Sequence, residues 1–138
     1  MFRTILAALI MAVSATGAQA QEIDNSDQVA AGRDLYMRHC ATCHGLEADG
    51  NGPMASILLV PPKNLSRLAA ENGGDLPLLR MIQRIDGRDP LVSHGSAMPV
   101  YGEFFEGDDT ALKTGSGQPV MTSRPIADLM AYLLTIQE

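Results

Sequence analysis

Hydrophobic positions recur at helical intervals in three stretches of this chain. Over residues 27–40, Val29, Gly32 and Tyr36 share one face with Leu35 beside them, and Ser26 or Asp27 stands ready as N-cap. Over residues 75–86, Leu78, Leu79, Ile82 and Ile85 form a second stripe, with Asp75 as cap, Pro77 in the first turn and Gly87 as the stop. Over residues 123–137 the stripe is Ile126, Leu129, Met130, Leu133 and Ile136, with Tyr132 at its edge. A Ser123 cap, Pro125 in the first turn and Asp128 near the positive end mark where it begins. Residues 64–70 suggest one more helical turn. No β alternation of useful length is visible, no repeat recurs, and the remainder is loop punctuated by Gly and Pro. The pattern predicts an all-α fold. Gly32 is the odd member, because a mid-helix Gly costs up to ~1 kcal/mol relative to Ala. Close approach of another helix would explain it.

The N-terminus follows a different rule. Arg3 precedes a short apolar core, Ile5 to Val13, and Ala18-Gln19-Ala20 is a small-x-small site followed by the polar Gln21-Glu22-Ile23-Asp24. This reads as a secretory signal peptide over residues 1–20, cleaved after Ala20. The apolar core falls short of the ~20 residues that a spanning helix needs, and no stop-transfer pattern follows. Stable membrane insertion after cleavage is therefore not expected. Residues 21–138 make one domain.

Charge narrows the function. Removing Arg3 from the chain's 10 basic residues leaves 9 against 16 acidic ones, a net −7. No basic stripe exists to neutralise phosphates, which excludes a nucleic-acid binder. Once Phe2 goes with the signal peptide, three Tyr, two Phe and no Trp are left, and a domain of this size has a marginal core of its own.

Cys40-Ala41-Thr42-Cys43-His44 holds the only two cysteines. C-x-x-C-H is the attachment signature of c-type haem. Two thiols at this spacing can each add to one vinyl group of a porphyrin, and the following imidazole can then reach the iron. A redox dithiol needs no His44 and normally sits at a strand-to-helix turn. A structural zinc needs further ligands, and a disulfide across two intervening residues is strained. One covalent haem c on Cys40 and Cys43, with His44 as metal ligand, fits best. It would also fill the small core, and the chain without it is expected to fold poorly.

With these motifs the chain resembles the class I c-type cytochromes, small helical exported proteins with one haem near the N-terminus. Gly32 and Tyr36 stand where that family has its Gly and aromatic contact residues, and Leu129 and Tyr132 where the C-terminal helix supplies their partners. The resemblance implies a small cytochrome c fold whose N- and C-terminal helices cross, with loops wrapping the haem. The run from His44-Gly45 through Asp49-Gly50-Asn51-Gly52-Pro53 is similar to the family's Gly-rich loop. Carried over, the carbonyl of Pro53 would accept from the outer nitrogen of His44, fixing its tautomer.

The second iron ligand has several candidates: Met37, Met54, Met81, Met98, Met121, Met130, His39 and His94. His39 abuts Cys40 and cannot reach the opposite face. Met37 and Met130 lie in the terminal helices, Met81 is mid-helix, and Met54 belongs to an apolar run ending at Val60. Met98 sits in Gly95-Ser96-Ala97-Met98-Pro99-Val100-Tyr101-Gly102, with small residues before it and a stiffening proline after it. Met-Pro followed by an aromatic-Gly pair also resembles the family's distal loop, which makes Met98 the metal ligand expected. His94 and Met121 remain as rivals.

Residues 103–124 depart from the compact family pattern. Glu103, Glu106, Asp108 and Asp109 precede Thr114-Gly115-Ser116-Gly117-Gln118. The stretch reads as a solvated acidic connector or as a docking surface for a partner. The function implied is not enzymatic: a periplasmic one-electron carrier that serves redox partner proteins of the respiratory type. Alternatives are a haem-bearing subunit of a periplasmic oxidoreductase, a haem sensor or enzyme with a displaceable sixth ligand, and a haem-free thiol oxidoreductase.

Overall fold

The computed structural model describes residues 25–89, 97–115 and 117–138. The signal peptide over residues 1–20, the residue at its cleavage boundary and His94 lie outside the described residues. Helix α1 spans Asn25–His39 and runs almost directly into a single turn, α2, Ala41–His44, which carries the haem motif. One turn, α3, follows at Leu68–Glu71, then α4 at Leu78–Asp86 and α5 at Arg124–Thr135.

The two terminal helices form the frame. Tyr36, Leu129, Met130 and Leu133 are fully buried or nearly so, and the Tyr36 and Tyr132 rings stand 5.4 Å apart. Gly32 has its reason here. A Cβ on it would collide with the carbonyl oxygen of Asp128 and lie 3.0 Å from the Leu129 nitrogen. Any side chain at this position would force the helices apart, so the bare backbone sets how closely they pack. The C-terminus is pinned as well. Gln137 accepts from the Ala69 amide and donates to the Leu65 and Leu133 carbonyls, and the Glu138 amide donates to the Ser66 carbonyl.

The structure corrects the sequence reading in four places. Helix α4 begins at Leu78 with Pro77 at its N-cap position, not Asp75, and Leu79 faces outward at 48% exposure while Leu78, Ile82 and Ile85 are buried. Gly87 does stop it, at φ +84°. Ser123 stands at the N-cap of α5 with extended backbone, but its side chain makes no cap bond.

The largest correction is to the all-α fold. Residues 109–123 form an antiparallel hairpin, β1 Asp109–Lys113 with β2 Pro119–Ser123, in the register Leu112↔Val120 and Thr110↔Thr122. Each strand alternates outward and inward positions, with Thr110 and Leu112 facing Val120 and Thr122 on the inner side. One aliphatic residue and one Thr per strand is a faint period-2 signal, and the acidic flank conceals it. The turn closes through the Thr114 amide and hydroxyl, both donating to the Gln118 carbonyl, and Gly117 takes φ +81° there.

Candidate functional site

The haem motif is positioned from behind by its own backbone. Helix α1 delivers Cys40 at its end, and the amides of Cys43 and His44 both donate to the Cys40 carbonyl. The chain then folds back. Gly50 N donates to the His44 carbonyl (2.8 Å), Gly52 N to the Cys43 carbonyl (3.1 Å) and Met54 N to the Thr42 carbonyl (3.0 Å). Gly52 is obligatory in this position, since a Cβ on it would lie 2.5–2.6 Å from the Thr42 and Cys43 main chain. The Tyr36 hydroxyl donates to the Gly45 carbonyl at 2.6 Å, joining α1 to the same loop. Burial pushes this phenol above its usual range, so it stays protonated and keeps donating.

His44 is 9% exposed, and its Nδ1 pairs with the Lys63 carbonyl oxygen at 2.8 Å. The outer-nitrogen role expected of Pro53 therefore belongs to Lys63. Pro53 follows directly on Gly52, where the chain is held against Thr42 and Cys43, and Pro53 itself faces solvent. The chain has to loop out through residues 55–60 and return along Pro61-Pro62 before a carbonyl meets the ring. The two prolines fix an extended approach there. Donation to Lys63 sets the tautomer and leaves the Nε2 lone pair for a metal. Burial lowers the His44 pKa, and the Lys63 bond opposes this only in part, so the imidazole is neutral at pH 7.

An apolar cavity opens beside this ring. Cys40 and His44 line it on the motif side, Met81 and Ile85 from α4, Leu129 and Leu133 from α5, and Met98 and Tyr101 from the segment after α4. Leu65, Leu68, Tyr36 and Phe105 complete the wall, and Arg84 is the one permanently charged side chain in it. Met98, 54 residues along the chain from His44, thus reaches the same cavity. Three of its described rivals do not line that cavity. Met130 is core at 1% exposure, Met121 faces solvent at 54%, and Met54 is 38% exposed and outside the lining. His39 packs against the Tyr101, Phe104 and Phe105 rings. Met81, set aside as mid-helix, does line the cavity, because α4 turns that face inward.

Cys40 and Cys43 are free thiols, and burial, reinforced by the neighbouring Cys43, pushes Cys40 up to about 12. An apolar cavity lined by the unbonded Cys40, a neutral buried imidazole and a thioether, with the unbonded Cys43 one turn from Cys40, fits a covalently attached porphyrin. The cytochrome c family model matches residues 29–137 of the chain. The chain belongs to the cytochrome c family. Family membership makes it a haem-binding electron-transfer protein, with haem c implied by the C-x-x-C-H spacing. No curated protein and no solved structure matches the chain.

Sequence reasoning missed Lys63, Arg84, Leu65 and Leu68 in this cytochrome c site. Pro61-Pro62 was the available signal for Lys63, as a rigid return toward the motif. Arg84 carries no such signal, since a charge on a helix face is usually solvated. The acidic residues Glu103, Glu106, Asp108 and Asp109 lie exposed around a short helical turn, Gly102–Phe105, and the root of the hairpin.

Proposed function

We propose that this cytochrome c domain is a periplasmic one-electron carrier with one haem c attached at Cys40 and Cys43. Its iron ligands are His44 and Met98, and its precursor is exported and cleaved after Ala20. The observation that carries this reading is the single apolar cavity lined by Cys40, His44 and Met98 together. The close packing of α1 on α5 at Gly32 agrees with the crossed terminal helices of the family. Bound there, the haem supplies a one-electron iron couple.

The chain's own residues supply the rest. Lys63 holds the Nδ1 proton and so directs Nε2 inward. Leu65, Leu68, Ile85, Leu129 and Leu133 exclude water, which keeps reorganisation between charge states small. Arg84 offers a cation to a porphyrin carboxylate at the cavity wall. The thiol-oxidoreductase alternative loses ground, because a redox dithiol works through a lowered thiol pKa and Cys40 is shifted the other way. No helix among the described residues is long and apolar enough to cross a membrane. Redox partners would be met in small, transient contacts.

Acid–organic extraction of the purified protein tests the attachment. Haem should stay on the polypeptide, and the intact mass should equal the chain from Gln21 plus one haem. Freely extractable haem or a bare-chain mass would refute it. A weak near-infrared charge-transfer band in the ferric protein tests the thioether ligand, and its absence would point to His94.

A further inference from the structure

The described chain before and after the Met98 segment meets at one place, the C-terminal turn of α4. On the way out, the Asp89 amide donates to the Gln83 carbonyl at 3.0 Å. On the return, the Tyr101 amide donates to the Ile85 carbonyl at 2.8 Å. Val100 packs over Gly87, where a Cβ would lie 2.5 Å from its Cγ1, and Gly102 packs on the Asp86 carbonyl, 2.6 Å from where its Cβ would stand. Residues 85–89 and 100–102 therefore form a neck.

Arg88 sits in this neck and reaches out of it. Its amide donates to Asp86 Oδ1 (2.9 Å) and its Nε to Asp86 Oδ2 (2.6 Å). Its Nη2 pairs with the same Oδ2 (2.6 Å) and donates to the Met121 carbonyl on β2 at 3.0 Å. Strand β2 runs straight into α5, and the root of the hairpin is closed by the Arg124 amide donating to the Asp108 carbonyl at 2.9 Å. At the other end the hairpin turn comes up to the start of α4, with Gly115 beside the Asp75 carboxylate. The hairpin thus reaches from Asp75, before α4, to the neck after it, and packs on α5. One planar guanidinium connects it to the neck.

We propose that Arg88 is a positioning residue that ties the neck of the Met98 segment to the hairpin and so holds the thioether in the haem cavity. The proposal rests on the reading of Met98 as the sixth ligand. Arg88 is about half exposed, and exposed ion pairs contribute little to global stability. Its effect belongs to the geometry of the distal side: without it, the neck opens and Met98 leaves the iron before the fold is lost. A lysine is no substitute, because an ammonium lacks the rigid fork that holds Asp86 and the Met121 carbonyl at once.

The test uses the ferric holoprotein in urea. The near-infrared thioether band and the far-UV helix signal are followed together in the wild type, Arg88→Ala, Arg88→Lys and the control Glu71→Gln. Glu71 pairs with Lys63 at the surface, away from the neck. The wild type and the control should lose the two signals at similar urea concentrations. Both Arg88 variants should lose the band first. Hydrogen exchange at the Tyr101 amide should accelerate roughly tenfold in both, the fold-change set by losing one charge-assisted hydrogen bond. Coincident transitions with wild-type Tyr101 exchange in both Arg88 variants would overturn the proposal while leaving the Met98 reading intact. A wild type without the band would overturn the Met98 reading, and the proposal with it.

Discussion

Between His44 and Leu65 the chain is fixed turn by turn through its main chain, whereas the chain that reaches Met98 is gripped at its neck. On the proximal side, Gly45, Gly50, Gly52, Met54 and Leu65 all donate their amides to nearby carbonyls, and the ring nitrogen of His44 is itself held by a main-chain carbonyl. Among the described residues, the hold on the distal side includes the Asp89 and Tyr101 amides, the Tyr101 hydroxyl on the His39 carbonyl at 3.0 Å, the Arg84–Asp89 ion pair at 3.9 Å, and the side chain of Arg88. The proximal ties are all to main-chain carbonyls within one loop, whereas the distal ties mix main-chain bonds with side-chain ones. The difference gives the two candidate ligands different parts to play. His44 is part of the framework, and on the proposed ligation Met98 would be the ligand through which the potential is set.

The strongest way to break this comparison is at Gly52. Gly52→Ala places a methyl group against the Thr42 and Cys43 backbone, which cannot move without displacing His44. Urea unfolding of the holoprotein should show a loss of about 3 kcal/mol or more, at the upper end for overpacking. A loss below ~1 kcal/mol would show that the proximal loop is not held as tightly as its main-chain contacts imply.

Met98→Ala should act in the opposite sense, with little effect on fold and a large one on redox. The ferric thioether band should disappear, and voltammetry should show the potential falling by on the order of 0.1 V, within the ~0.8 V over which axial ligands move haem iron. If the band persists, the ligand is another methionine. Met81 is then the first to replace, since it shares the cavity and Met121 does not.

Tyr36→Phe sharpens the comparison through pH. The buried phenol keeps its proton in the folded chain, while an unfolded tyrosine releases it near pH 10. Between those two values unfolding releases a proton, so stability falls as pH rises past about 10 and is untouched by this group at pH 7. Tyr36→Phe should cost about 1 kcal/mol at neutral pH, from the lost bond to Gly45, and should make the alkaline decline shallower. Tyr101 and Tyr132 are raised by burial too, so some slope should survive. Thermal melts at pH 7 and pH 11 measure both effects. An unchanged slope would mean that Tyr36 is not tied to the proximal loop.

The smallest effect expected is at Arg84. Replacing its guanidinium with a neutral amide removes a cation from the cavity wall, which favours the ferric state and lowers the potential. A unit charge within about 10 Å, at an effective dielectric near 20, corresponds to tens of millivolts. Arg84→Gln raising the potential, or leaving it unchanged, would place Arg84 outside the reach of the cofactor.

Much of the proximal side was legible in the sequence because its chemistry is local. C-x-x-C-H at residues 40–44 specifies attachment and one ligand by spacing alone. The Gly32–Tyr36 face and the Leu129–Tyr132 stripe announce helices that pack closely. Contacts across longer stretches of chain were less legible. Pro53 was expected to hold His44, and Lys63 does so, because the loop leaves the motif at Gly52 and comes back eleven residues later. The hairpin at 109–123 was read as a connector, since two short strands with one aliphatic residue each on the inner side do not stand out from a polar loop.

The sequence by itself therefore determined the haem motif, the three long helices and the need for a close approach at Gly32, all of which depend on spacing within a few turns. Only the tertiary structure decided which carbonyl meets His44, that Met81 and Met98 share one cavity while Met121 lies outside it, and that Arg88 joins the neck to a hairpin. The physical reason is that spacing along a helix is set by backbone geometry, while the meeting of distant segments is set by how the loops between them pack. Carbonyls and thioethers carry no mark in the sequence of where that packing will bring them.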